Sequence, residues 1–92
     1  MPAFARLHLL TRDGMLLDRI EIQVGKGLRL DKVLSLLDKK RPVQKGFFRS
    51  VLRGKQVVTL LLNGERLDLE EDRKTEIRDG DELVILSPIT GG

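Results

Sequence analysis

The sequence predicts an α+β fold: a mixed sheet of four to five strands, with one main helix and a second short helix packed on it. Three observations predict it. Period-two alternation opens the chain, a helical apolar stripe follows, and turn dipeptides divide the remainder into short strands. The chain has 92 residues, room for one core and not two. Hydrophobic residues make up 40% and aromatics only 3%, so that core is built from Leu, Val and Ile.

The first strand is read at residues 3–9, where Ala5, Leu7 and Leu9 share one face and Arg6 and His8 the other. His8 is the one histidine and is expected as an exposed strand residue. Arg12-Asp13-Gly14 supplies a turn, because Asp-Gly readily provides positive φ. The return strand points Ile20, Ile22 and Val24 inward, completing a hairpin. Gly25-Lys26-Gly27 then ends the alternation.

Leu30, Val33, Leu34 and Leu37 stand at i, i+3, i+4 and i+7, the stripe of an amphipathic helix. That helix should stop before Pro42, which disfavours helical geometry at the preceding residue. Lys39-Lys40-Arg41 reads as its solvated end, where cations suit the helix dipole. A short second helix is expected over 44–52, with Phe47, Phe48, Val51 and Leu52 apolar and one Phe partly exposed.

The apolar run 56–62 predicts a central strand buried on both sides. Asn63-Gly64 turns it into a short return strand at 65–67. Glu70-Glu71-Asp72 reads as a solvated loop. Asp79-Gly80-Asp81 turns the chain into a last strand at 82–86, and Ser87-Pro88 stops it. Hairpin, helix, strand, short strand and last strand, in that order, describe the ubiquitin-like β-grasp arrangement. In it the last strand lies centrally and parallel to the first.

Composition excludes several functions. The absence of Cys removes disulfides, thiolate metal sites and cysteine nucleophiles together. A single His makes no metal centre, and no apolar run nears the roughly 20 residues of a membrane span. No signal-peptide pattern is seen, so a cytoplasmic location is expected. No phosphate-cradling loop or catalytic constellation is present either. Net charge is +3 and split: residues 1–56 carry 13 Lys/Arg against 5 Asp/Glu, and residues 57–92 carry 4 against 9. Such a division suits a charged protein partner. The cluster Lys39, Lys40, Arg41, Lys45, Arg49, Arg53 and Lys55 raises nucleic-acid binding as a weaker alternative, since interleaved aromatics are missing.

The remaining chemistry lies at Pro88-Ile89-Thr90-Gly91-Gly92. With 9 Gly in 92 residues, an accidental Gly-Gly there is on the order of a one-per-cent event. Two residues without Cβ atoms can thread a narrow channel and bring a carboxylate against a phosphate. A carboxylate is a poor electrophile, and adenylation by ATP gives it a good leaving group. The chain would be the substrate of that chemistry. Residues 1–87 are expected to form the domain and 88–92 a flexible tail.

Residues 57–92 resemble the sulfur-carrier family that includes the small subunit of molybdopterin synthase and the thiamine sulfur carrier (the MoaD/ThiS-like family). The matching pieces are the apolar strand into Asn63-Gly64-Glu65, the stretch Ile77-Arg78-Asp79-Gly80-Asp81-Glu82-Leu83, and the closing Pro88-Ile89-Thr90-Gly91-Gly92. The helix from Leu30 to Leu37 is similar to the family's first helix. The resemblance implies that an E1-like enzyme, using ATP and Mg²⁺, adenylates the Gly92 carboxylate, which then becomes a thiocarboxylate. Pro88, Ile89, Thr90 and Gly91 would insert into a partner's active site. A sulfur donor and a sulfur-accepting enzyme are the further partners, and no cofactor or metal is held by the chain itself. Molybdenum-cofactor synthesis and transfer-RNA thiolation are the family's branches, and some archaeal relatives are conjugated to lysines as modifiers. A non-covalent β-grasp interaction module is the alternative from another class. Two departures stand out: Ser87-Pro88 where molybdopterin-synthase subunits usually show Pro-Pro, and a hairpin lengthened by Met15-Leu16-Leu17.

Overall fold

Alternation and turn chemistry build a long first hairpin, strands β1 (Ala3–Thr11) and β2 (Gly14–Ile22). In this computed structural model, residues 2–11, 13–40 and 43–87 are described. Gly14 opens β2 at φ 116°, a value that glycine tolerates far better than other residues. Every second residue of β1 (Ala3, Ala5, Leu7 and Leu9) is buried, as the pleat requires. Both strands run further into the turn than the sequence reading placed them, pairing from Ala3↔Ile22 to Thr11↔Gly14.

Helix α1 (Leu30–Lys40) lays Leu30, Val33, Leu34 and Leu37 against the sheet with no solvent exposure. Its first N–H groups are not satisfied by a side-chain cap. Leu30 donates to the Thr75 carbonyl at 2.8 Å and Asp31 to that of Arg73 at 3.1 Å. The segment that reaches over this end contains two elements, α3 (Leu69–Asp72) and β6 (Glu76–Ile77). The latter pairs antiparallel with β3 (Leu28–Arg29). Glu70-Glu71-Asp72 is therefore a helical turn and not a loop. Asp68 caps it, accepting from the Glu70 N–H at 2.9 Å, while the Asp72 carboxylate accepts from the Asp68 N–H at 2.8 Å. Helix α2 (Phe47–Leu52) starts later than expected, with Phe48 and Val51 buried and Phe47 and Leu52 half-buried. The Phe rings meet edge to face at 5.1 Å.

Strands β4 (Thr59–Leu62), β5 (Glu65–Leu67) and β7 (Glu82–Leu86) complete a five-stranded sheet, ordered β2-β1-β7-β4-β5. β7 pairs parallel to β1 and antiparallel to β4, which makes this mixed sheet a ubiquitin-like β-grasp fold. The run 56–62 is corrected in two ways. Only its last four residues form a strand, and only Leu60 is buried there. The helices cover one face of the sheet, so Leu61 on the other face is half-buried and Val57 stands in solvent. His8 is corrected too: it lies on the outer face, half-buried beside Leu17 and Leu86.

Candidate functional site

Where β7 ends decides where any tail begins. Two turns set its start. Asn63 (φ 50°) and Gly64 (φ 88°) make the β4–β5 turn, both in the left-handed region. The Asn63 amide spans the gap to the second turn, donating to Asp81 Oδ1 at 2.9 Å and accepting from the Glu82 N–H at 2.9 Å. Asp81 in turn accepts from the Arg78 N–H at 2.8 Å through Oδ2. From this knot Phe4 donates to the Asp81 carbonyl at 3.0 Å, and register then runs from Phe4↔Glu82 to His8↔Leu86.

The strand's last described residue is held twice. The Ser87 N–H donates to the His8 carbonyl at 2.9 Å, and the Leu10 N–H donates to Ser87 Oγ at 2.7 Å. A proline here would have neither the N–H nor the hydroxyl. Ser87 thus fixes the root of the chain's end against the far part of the first hairpin. Sequence reasoning treated Ser87 as part of a stop signal and, with Pro88, as a departure from Pro-Pro, and did not see its bonds to β1. The longer hairpin, with the presence of a hydroxyl at 87, was the available clue. The candidate site residues Pro88, Ile89, Thr90, Gly91 and Gly92 lie outside the described residues, as do Arg41 and Pro42.

No group of three or more His, Cys, Asp or Glu among the described residues converges to hold a metal. Among the described residues no helix is long and apolar enough to cross a membrane. Of the basic cluster, Lys39 and Arg49 face a common cleft with Ser35, Asp38 and Leu52. The aromatic platform that single-stranded nucleic acid needs is not formed by the described phenylalanines. Phe48 is buried, Phe47 leans on it, and the Arg19 guanidinium covers the Phe4 ring at 3.8 Å.

A β-grasp body whose central strand leads into a Pro-Ile-Thr-Gly-Gly sequence defines a class, the ubiquitin-like carriers. The family model described as the ThiS family matches residues 4–92, so the chain belongs to that sulfur-carrier family. Membership makes it a protein co-substrate and not an enzyme. Among solved structures it is similar to the small archaeal modifier protein 1 (SAMP1) from Methanosarcina acetivorans, determined in solution. Identity is 23%, with a TM-score of 0.49, over 100% of this chain and 99% of that one. The chain matches no curated protein.

Proposed function

We propose that the chain carries sulfur on Gly92 and is the substrate of an E1-like adenylating enzyme. The observation that carries this reading is the family match, which runs through Gly91 and Gly92. The Gly92 carboxylate attacks the α-phosphate of ATP, and pyrophosphate leaves. The enzyme supplies Mg²⁺ and the phosphate-binding groups for this step. A sulfide sulfur then attacks the acyl carbon of the adenylate. AMP leaves with the former carboxylate oxygen, and a thiocarboxylate remains. That sulfur is handed to an acceptor enzyme, of the molybdopterin-synthase or transfer-RNA-thiolation kind.

In this reading the body contributes placement. Ser87 holds the root of the tail to β1, so Pro88, Ile89, Thr90 and Gly91 reach a partner's active site from a defined point. The two glycines suit a narrow channel because they lack Cβ atoms. A lysine amine could take the same acyl group, which would make the chain a protein modifier. Co-expression with the adenylating enzyme and a sulfur donor, followed by intact-mass measurement, tests the proposal. Replacement of one terminal oxygen by sulfur is expected. An isopeptide bond to a lysine in its place selects the modifier reading.

A further inference from the structure

Strand β2 is the outermost strand on its side of the sheet, nine residues long, with no neighbour beyond it among the described residues. Its backbone groups divide by parity. Phe4 donates to the Asp81 carbonyl, Ser87 donates to that of His8, and Leu10 donates to Ser87, so the even residues of β1 face β7. The odd residues of β1 face β2, where they stand opposite Gly14, Leu16, Asp18, Ile20 and Ile22. Antiparallel pairing alternates, so Met15, Leu17, Arg19 and Glu21 turn their N–H and C=O groups to the open side. The register runs from Ala3↔Ile22 to Thr11↔Gly14 without a bulge, and the strand holds neither proline nor lysine. Such an edge is a template for another strand unless something blunts it.

Asp18 is the residue of β2 that breaks the strand's own pattern. The inner row around it is apolar: Leu16 and Ile20 are half-buried and Ile22 is buried. Asp18 stands in that row opposite the fully buried Leu7, yet it is exposed. Its carboxylate turns to the open side, where Oδ1 accepts from the Arg19 N–H at 2.8 Å. No ion pair found among the described residues includes it. The Arg19 guanidinium lies instead over the Phe4 ring at 3.8 Å. A carboxylate that meets no cation and occupies an edge donor acts on the edge itself.

We infer that Asp18 keeps the free edge of β2 from pairing with the same edge of a second copy. The strand is otherwise self-complementary. In an antiparallel pair about a two-fold axis at Ile20, Arg19 faces Glu21 of the second copy, and Glu21 faces its Arg19. Both residues carry outward backbone groups, so each such pair would exchange two hydrogen bonds. Axes at Asp18, Arg19 or Glu21 set like charges against each other instead. In the Ile20 register Asp18 obstructs twice. It holds the Arg19 N–H that the Glu21 carbonyl of the second copy needs. It also stands opposite Ile22 of that copy, which is buried and apolar. An inward-facing charge on an edge strand opposes such pairing. The guard belongs to the body of the fold and holds whether or not Gly92 carries sulfur.

Sedimentation equilibrium of the full chain and its variants is the test. The parent is expected to stay monomeric up to about 0.5 mM, and Asp18→Val to be mostly dimeric at about a tenth of that concentration. Asp18 is exposed, so circular dichroism should show an intact fold. Asp18→Thr repeats the measurement should the valine variant misfold. In the dimer, amide hydrogen exchange should slow at Glu21, whose N–H gains a partner. Adding Arg19→Glu to Asp18→Val sets acid against acid and should weaken the dimer about tenfold or more. Adding Glu21→Arg as well should restore it. Lys32→Val, an apolar residue added to the exposed side of α1, should remain monomeric. Folded Asp18→Val and Asp18→Thr chains that stay monomeric at about 0.5 mM overturn the proposal. A parent that dimerises as tightly as the variants overturns it too. A dimer indifferent to Arg19→Glu, or open-ended aggregation in place of a dimer, contradicts the closing of these two edges on each other.

Discussion

Ser87 and Asn63 do more in this fold than their side-chain size suggests. Ser87 closes the last rung between β7 and β1 with its N–H and accepts a further bond from Leu10 with its hydroxyl. Ser87→Ala removes only the second and should cost about 1 kcal/mol in urea unfolding. Ser87→Pro removes both, so a loss of about 2 kcal/mol is expected. Asn63 tolerates a left-handed backbone and ties two turns together through its amide. Asn63→Ala should destabilise by about 2 kcal/mol, from two lost hydrogen bonds and a strained φ. The Asn-Gly signal at 63–64 is local chemistry and was legible from the residues alone. The bond from Asn63 to Asp81 and the grip of Ser87 on Leu10 join residues far apart in sequence, and no local pattern reveals such a pair.

At the scale of elements, periodicity carried what was long enough to have a period. The α1 stripe was read without error: Leu30, Val33, Leu34 and Leu37 are all fully buried. Leu34→Ala should therefore cost about 2–5 kcal/mol by thermal or urea unfolding, and leave the carboxylate chemistry unchanged wherever the variant stays folded. The parallel pairing of β1 with β7 was also anticipated, from element order. Two-residue strands and a four-residue helix are too short to show periodicity, so β3, β6 and α3 were not seen. Tertiary contacts make them: carbonyls of Arg73 and Thr75 accept the first α1 N–H groups. The opposite error came at residues 56–62, where apolar character alone suggested a strand buried on both sides. Hydrophobicity does not say whether a second layer exists to cover it, and here the outer sheet face has none among the described elements. Val57 was part of a surface and not of a core.

At the scale of the molecule, three of the exposed large apolar side chains, Leu10, Met15 and Leu17, belong to the long first hairpin, and the ion pairs among the described residues lie towards the starts of β7 and α1. The charge split between residues 1–56 and 57–92 belongs to the sequence and is not sorted by the fold into two ends, since Lys26, Lys32 and Lys74 are exposed and in none of those pairs. A body of this kind needs no catalytic set of its own. With no cysteine in the chain, no thiol of its own can hold a carried sulfur, and in the proposed reading that sulfur sits on Gly92. The direct measurement is the mass of the intact chain, with fragmentation of its C-terminal peptide, after incubation with the adenylating enzyme, ATP, Mg²⁺ and a sulfur donor. The account predicts sulfur in place of one terminal oxygen on Gly92, and none on a folded chain lacking Gly91 and Gly92. A folded, full-length chain whose terminus never gains an adenylate, a thiocarboxylate or an isopeptide bond would contradict it.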